Sequence, residues 1–334
     1  MHSEDLVKDV EALSAKLAQA RDMVGRRIIG QDAVVDLTLS ALLAGGHALL
    51  IGLPGLGKTR LVETLGTVMG LRDGRVQFTP DLMPSDILGA EVLEEGADGS
   101  RAFRFVKGPI FCQLLLADEI NRASPRTQSA LLQAMQEHEV SVAGQTHALG
   151  QLFHVLATQN PLEQEGTYPL PEAQLDRFLV QIDVDYPSRA DERAILLATT
   201  GNEDAAIAPV FSADDLTAAQ RLLRRIPVGD GVVEAILDLV RACRPDDESA
   251  SDDLREALIW GPGPRAAQAL MLLSRARALL DGRLAPGIDD VRALALPVLQ
   301  HRMELSYAAR AEGQSLSALI ARISDRVLAG QAAA

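Results

Sequence analysis

Hydrophobic and polar positions follow two different patterns along the chain. Up to about residue 185, segments of helical periodicity alternate with short apolar runs, which is typical of strands enclosed between helices. Four apolar runs predict buried strands: 48–51, 111–117, 155–158 and 179–184. Amphipathic helices are predicted over residues 5–24 and up to about residue 43, and Ser124-Pro125 predicts the start of another helix. This order favours a parallel sheet covered by helices.

From about residue 190 the pattern changes to helical faces alone, with a capping-box signal at Ser212 and Asp215. We therefore predict an α/β domain over residues 1–188 and a helical domain over residues 189–334. Residues 76–108 are less regular and contain a turn signal at 96–99. Residues 140–149 predict a hairpin that turns at Ala143-Gly144.

Composition narrows the class of protein. Hydrophobic residues make up 47% and aromatic residues 3%, so the core consists mainly of aliphatic side chains. The formal net charge of −14 argues against a protein that coats nucleic acid or anionic lipid. Two cysteines provide no metal-binding spacing, and no apolar stretch is long enough to span a bilayer. These features predict a cytoplasmic protein without membrane insertion.

A glycine-rich segment follows the first predicted strand and precedes a predicted helix. Its residues fit the phosphate-binding pattern G-x-x-x-x-G-K-[ST]: Gly52, Leu53, Pro54, Gly55, Leu56, Gly57, Lys58 and Thr59. Glycines let several backbone N–H groups converge on phosphate oxygens, and the following helix adds the positive end of its dipole. Lys58 would reach the β- and γ-phosphates, and the Thr59 hydroxyl would hold Mg²⁺. A chance match is expected in only about two chains per thousand.

Two further polar segments end predicted strands. Asp118 and Glu119 follow the apolar run 114–117, where Asp118 would orient the metal ion and Glu119 would polarise the attacking water. Asn160 follows the next strand and could bond both that water and the γ-phosphate. Taken alone, the two carboxylates also fit a solvated strand end, and Asn160 also fits a turn before proline.

These motifs together resemble an AAA+ ATPase module, and longer stretches resemble its MoxR branch: 78–86, 118–123 and 157–178. The resemblance implies an α/β P-loop NTPase in which a parallel-sheet AAA+ core precedes a smaller all-α lid domain. It further implies that residues 76–108 are an insertion in the helix after the second strand, and that the 140–149 hairpin is an addition before the third. Gly57 and Gly263 depart from the residues usual in the family.

The resemblance also assigns residues that spacing alone does not. Arg177 matches an arginine finger that reaches the ATP of a neighbouring subunit, and Arg265 matches the lid arginine that senses the γ-phosphate. Ile29 and Gln31 match the segment against the adenine, and Arg60 joins the candidate nucleotide-binding residues.

The function implied is an ATP-dependent remodelling ATPase that matures or activates partner complexes. ATP and Mg²⁺ would be bound at the subunit interfaces of a homo-oligomer, most simply a hexameric ring. The expected partners are a protein with a von Willebrand factor A domain and a client protein that the sequence does not identify.

Two other functions stay open on the sequence alone. One is a ring motor stimulated by nucleic acid, which the acidic balance disfavours. The other is a nucleotide-switched scaffold without significant turnover, which the presence of Glu119 disfavours. Arg122 and Arg126 could contact a neighbour's nucleotide, and a solvated helix start explains them equally well.

Overall fold

The computed structural model describes residues 3–95, 101–163, 166–201 and 205–329. The turn signal at 96–99 lies outside these residues. The strands, in chain order, are β1 (Ala48–Gly52), β2 (Asp73–Gln77), β3 (Gly89–Glu95), β4 (Arg101–Lys107), β5 (Leu114–Asp118), β6 (Glu139–Val142), β7 (Gln145–Ala148), β8 (His154–Gln159), β9 (Val180–Val184), β10 (Leu258–Trp260) and β11 (Glu304–Leu305).

The helices are α1 (Ser3–Gly25), α2 (Asp32–Ala44), α3 (Lys58–Val68), α4 (Pro84–Leu88), α5 (Pro125–Glu137), α6 (Glu172–Leu175), α7 (Arg189–Thr199), α8 (Ala213–Leu223), α9 (Asp230–Ala242), α10 (Asp252–Ala257), α11 (Pro264–Leu280), α12 (Ile288–Leu299), α13 (Tyr307–Ala311) and α14 (Leu316–Leu328). Short 3₁₀ turns lie at Ile120–Arg122 and Gln300–Arg302.

Five parallel strands form the central sheet in the order β2-β5-β8-β1-β9. Because side chains alternate across a strand, β5 contributes to two cores. Leu114 and Leu116 join a core that extends into the later helices, whereas Leu115 and Ala117 join a second core with α5. Burial on both faces explains the continuous apolar run, as expected for a parallel sheet. The predicted parallel α/β fold is confirmed.

The structure corrects three predictions about strands. β2 was not predicted, because Val76 is its one buried side chain. Its last two residues, 76 and 77, lie in the segment that was predicted to be an insertion. β5 begins at Leu114 instead of 111, since Phe111 packs outside the sheet against Phe105. The segment after residue 190 is not purely helical. β10 and β11 pair there, but they are too short to give a periodic signal.

Two hairpins extend from the α/β part of the chain. β3 pairs with β4 after the short helix α4, and β6 pairs with β7 around Ala143, as predicted. The rings of Phe105 and His147 stack at 3.9 Å between centroids and join the two hairpins.

The helices of the later part pack against the first two helices. The Gln220 amide on α8 donates to the Leu42 carbonyl on α2 at 2.8 Å, and the Ser14 hydroxyl on α1 donates to the Leu279 carbonyl on α11 at 2.8 Å. Ser212 and Asp215 form the predicted capping box at the start of α8. Within the described ranges, no helix is both long and apolar enough to cross a membrane.

The two cysteines and two of the histidines are buried structural residues. Burial raises the pKa of the Cys112 and Cys243 thiols to about 12, and both are free. Burial also lowers the pKa of His47 to about 3, and that of His154 is lowered for the same reason. Among the residues described, no group of three or more His, Cys, Asp or Glu side chains could by itself hold a metal ion.

Candidate active site

The glycine-rich segment forms a turn between β1 and α3, at the carboxyl edge of the sheet. Gly55 and Gly57 have φ values of 83° and 78°, in the left-handed region that glycine adopts without a steric penalty. A Cβ on either residue would meet no atom within 4 Å, so the main chain borders open space. This loop can therefore approach a phosphate group closely, as the sequence predicts.

Lys58 is the first residue of α3, and its ammonium group turns back over the loop. It donates to the Gly52 carbonyl at 2.5 Å and to the Leu53 carbonyl at 2.9 Å. Burial lowers the pKa of Lys58, and the nearby carboxylates of Asp118 and Glu119 oppose this shift. The lysine and the two carboxylates thus share one electrostatic environment. Thr59 follows in the first turn of the helix.

Asp118 ends β5 and is buried, at 8% exposure. Its carboxylate accepts hydrogen bonds from the Thr158 hydroxyl at 2.7 Å and from Arg75 at 2.8 Å. The pairing of β2 with β5 places Arg75 beside this strand end. A buried carboxylate needs such partners because desolvation of an unpaired charge is costly.

Glu119 adopts a left-handed backbone conformation, with φ of 56°. Such a conformation is uncommon for a residue other than glycine, and it is frequent at functional sites. Its carboxylate accepts hydrogen bonds from the Gln77 amide at 2.8 Å and from Arg122 at 3.0 Å. Arg122 therefore contacts Glu119 of its own chain.

Thr158 connects the two acidic residues. Its hydroxyl accepts the Glu119 N–H at 2.8 Å while it donates to Asp118, and the residue is fully buried. Thr158, Arg75 and Gln77 were not predicted from the sequence as parts of the site. Two features of the sequence could have indicated them: Thr158 lies two residues before Asn160, and the polar residues Arg75 and Gln77 alternate on β2.

Asn160 immediately follows β8, which lies between β5 and β1 in the sheet. This position puts it between the acidic strand end and the glycine-rich loop, at the same edge. The residue is buried, at 6% exposure, and its side-chain oxygen accepts the Leu162 N–H at 3.1 Å. The turn interpretation and the functional interpretation therefore both fit the geometry.

A cavity of about 870 Å³ opens beside the glycine-rich loop. Ile29 and Gln31 line it, as does Arg60. The Gln31 amide donates to the Asp185 carbonyl at 3.5 Å. Tyr186 and residues of α7 complete the wall. The volume lies within the range of small-molecule sites.

Arg177 and Arg265 do not line this cavity. They line a second cavity together with His47, which precedes β1, and Leu179, which precedes β9. Both strands begin there, so this cavity lies at the amino edge of the sheet. A strand of five residues separates the two edges by about 16 Å. The structure therefore brings Arg177 and Arg265 together, and it places both away from Lys58 of the same chain.

The residues at the carboxyl edge fit a nucleoside triphosphate with Mg²⁺. The loop offers backbone donors and open space, and Lys58 offers a positive charge. The Thr59 hydroxyl and the Asp118 carboxylate are oxygen ligands of the kind that Mg²⁺ prefers. We expect these two residues to hold the ion with the phosphate oxygens.

Comparison with protein families identifies two matching regions. Residues 47–180 match the model of the ATPase family associated with various cellular activities (AAA). Residues 252–323 match the model of the AAA lid domain. The first region contains the glycine-rich loop, the acidic end of β5 and Arg177, and the second contains Arg265.

Several relatives are similar over nearly the full chain. Chaperone MoxR1 of Mycobacterium tuberculosis is 39% identical, with 97% of this chain and 84% of the relative covered. YeaC of Bacillus subtilis is 40% identical, covering 95% and 96%. Protein MoxR of Paracoccus denitrificans is 31% identical, covering 88% and 90%. The crystal structure of a candidate ATPase from Cytophaga hutchinsonii matches with a TM-score of 0.87 at 35% identity, covering 95% and 96%.

Proposed function

The chain belongs to the MoxR family of AAA+ ATPases, and on this premise we propose that it hydrolyses ATP in active sites shared between neighbouring subunits of a ring. The observation that carries the proposal is the separation of the cationic side chains. Lys58 lies at the carboxyl edge of the sheet, and Arg177 and Arg265 lie at the amino edge. A neighbouring copy can present its amino edge to the nucleotide that this subunit binds.

Within one subunit, the carboxyl edge binds ATP. The loop from Gly52 to Thr59 surrounds the phosphates, Lys58 contacts the β- and γ-phosphates, and Ile29 and Gln31 border the base. Mg²⁺, held by Thr59 and Asp118, would supply positive charge at the phosphate oxygens.

The attacking water is oriented by Glu119, whose carboxylate is held by Gln77 and Arg122, and by the side chain of Asn160. The products are ADP and phosphate. The rigid support of Asp118 and Glu119 by Thr158 favours this reaction, because phosphoryl transfer depends mostly on positioning and charge stabilisation.

The neighbouring subunit completes the site. Its Arg177 would neutralise charge that develops on the γ-phosphate, and its Arg265 would contact the same phosphate. The Arg177 side chain is available for this role, because no hydrogen bond or ion pair joins it to another residue in the described part of the chain. A ring of six subunits would use every such interface once.

Two experiments test the proposal. ATP hydrolysis by the wild type is compared with that of Glu119→Gln, which we expect to be slower by about 10²- to 10⁴-fold. Equal rates would remove Glu119 from the reaction.

In the second experiment, subunits carrying Arg177→Ala are mixed with subunits carrying Lys58→Ala before assembly. We expect neither variant to hydrolyse ATP alone. We expect the mixture to recover about a quarter of the wild-type rate, because half of the sites are intact and half of those face an intact arginine. Absence of recovery counts against the shared site.

The biological task that we propose is remodelling or activation of a partner complex. The relative named as a chaperone and the family membership support it. The partner would be a protein with a von Willebrand factor A domain, which would act together with a client protein. Capture of such a protein with ATP by Glu119→Gln, but not by Lys58→Ala, is the expected result. Equal capture by both variants would argue against a nucleotide-dependent partner.

A further inference from the structure

A buried arginine in the lid lies next to the segment that carries Arg177. Arg302 ends the 3₁₀ turn after α12 and is 1% exposed. Burial of a guanidinium group is costly unless its donors are all paired. Arg302 meets this condition, because all three of its nitrogens donate hydrogen bonds.

The acceptors of these bonds define the contact. The Nε atom donates to the Asp176 carboxylate at 2.8 Å, and Nη2 donates to the carbonyls of Phe178 at 2.6 Å and Asp176 at 3.4 Å. The Nη1 atom donates to the carbonyls of Leu179 at 3.3 Å and Val298 at 2.6 Å. Four of these five bonds therefore go to residues 176–179. Arg177 lies inside this segment.

The two residues before Arg302 contact the same segment and its continuation. The His301 ring donates from Nε2 to the Phe178 carbonyl at 3.1 Å, and the Gln300 amide donates to the Gln181 carbonyl at 3.5 Å. Burial and the charge of Arg302 keep the pKa of His301 well below its ordinary value, so the ring is neutral at physiological pH. The lid thus binds the backbone around Arg177 through three consecutive residues.

Asp176 connects this contact to Arg265. Its second carboxylate oxygen accepts a hydrogen bond from Arg265 at 3.4 Å, while the first accepts from Arg302. The side chain of Asp176 is 26% exposed, and that of Arg265 is 46% exposed. One carboxylate therefore lies between a buried arginine and an exposed one.

We infer that Arg302 is a positioning residue for the active site of the neighbouring subunit: with Asp176, it holds Arg177 of the α/β domain and Arg265 of the lid together as one unit. This inference rests on the proposed shared site and extends it. Loss of the Arg302 bonds would leave the subunit's own Lys58 edge intact. It would disorder the surface that the subunit offers to its neighbour.

The test uses Arg302→Lys, which keeps the charge but loses the planar arrangement of five bonds. We expect rings of this variant to hydrolyse ATP about 10²-fold more slowly, the loss that a misplacement of about 1 Å causes. Affinity for a fluorescent ATP analogue should stay unchanged, because Arg302 does not line the nucleotide cavity. Arg322→Lys is the matched control, since Arg322 is an exposed lid arginine paired with Asp253.

Mixing separates positioning from a general loss of structure. Arg302→Lys mixed with Lys58→Ala should recover about a quarter of the wild-type rate, since the first supplies intact sites and the second an intact arginine surface. Arg302→Lys mixed with Arg177→Ala should recover nothing. Asp176→Asn changes a partly exposed side chain, so we expect this variant to fold. It should behave in the same way as Arg302→Lys.

Three results overturn the inference. Full activity of Arg302→Lys rings would show that the contact does not position the arginines. Failure of both Arg302→Lys and Asp176→Asn to recover with Lys58→Ala, while Arg177→Ala does recover, would show a structural role only. If Arg177→Ala also fails to recover with Lys58→Ala, the shared site itself is wrong and the inference is wrong with it.

Discussion

The Thr158 hydroxyl contacts both acidic residues at the end of β5, so its removal tests how that end is organised. We consider Thr158→Val, which keeps the shape of the side chain and removes only the hydroxyl. The Glu119 N–H would lose its acceptor at 2.8 Å, and the Asp118 carboxylate would lose a donor at 2.7 Å. Asp118 would keep its bond from Arg75.

The magnitude follows from these two bonds. A buried N–H left without an acceptor costs about 1–3 kcal/mol, and loss of one of two donors to a carboxylate adds about 1 kcal/mol. We therefore expect the free energy of unfolding to fall by about 2–4 kcal/mol. Glu119 would also lose a bond that holds its left-handed backbone, so kcat for ATP hydrolysis should fall by about 10- to 10²-fold. The KM for ATP should change little, because Lys58 and the loop are untouched.

Urea unfolding and steady-state ATP hydrolysis measure the two effects. Thr38→Val is the matched control, because Thr38 is equally buried and its hydroxyl donates to a carbonyl of its own helix. That carbonyl keeps its helical bond, so the control should lose less than about 1 kcal/mol. If the two substitutions cost the same stability and leave kcat unchanged, Thr158 does not organise the site.

Three further predictions concern other parts of the molecule. Because the pKa of His47 is lowered in the folded protein, the unfolded chain takes up the proton first as the pH falls. The free energy of unfolding should therefore be highest above about pH 6.5 and should decrease toward pH 5 by up to about 1.4 kcal/mol per pH unit. Urea unfolding at pH 7.5, 6 and 5 measures this decrease. Gln77→Ala should lower kcat by about fivefold in steady-state hydrolysis assays, because one hydrogen bond to the Glu119 carboxylate is lost. Gly52→Ala should cost about 1–3 kcal/mol in thermal unfolding, because the new Cβ would lie 2.6 Å from the Val184 carbonyl.

Each of these has a comparison that can contradict it. His47→Asn should flatten the decline between pH 6.5 and 5, and an unchanged slope would show that His47 does not cause it. A Gln77→Ala enzyme with wild-type kcat would show that Glu119 needs no support from β2. Gly229→Ala should be nearly neutral, since its Cβ would meet no atom within 4 Å, and an equal cost at Gly52 and Gly229 would exclude the steric explanation.

The sequence predicted the parts of the fold and candidate site that depend on local pattern. β1 and β5 are apolar runs because both faces of the sheet are buried, and the glycine-rich loop has its own residue pattern. β2 lies at the edge of the sheet and has one buried side chain, so its five residues give no comparable signal. Missing β2 also meant missing Arg75 and Gln77.

Contacts between distant residues account for most of what the sequence did not predict. Thr158 and Asp118 are 40 positions apart, and Arg302 and Asp176 are 126 positions apart. Such contacts can be predicted only when the strand order and the packing of the lid are known. The proximity of Arg265 to Arg177 was not predicted for the same reason. The family resemblance related each arginine to the nucleotide, but it did not relate the two arginines to each other.

The central claim is that one subunit binds ATP and the next supplies the arginines. Electron cryo-microscopy of the Glu119→Gln ring with ATP and Mg²⁺ tests this claim most directly. We expect ATP beside Lys58, with Arg177 and Arg265 of the adjacent subunit within about 3 Å of its γ-phosphate. Nucleotide contacted by Arg265 of its own subunit, or an interface without either arginine, would contradict it.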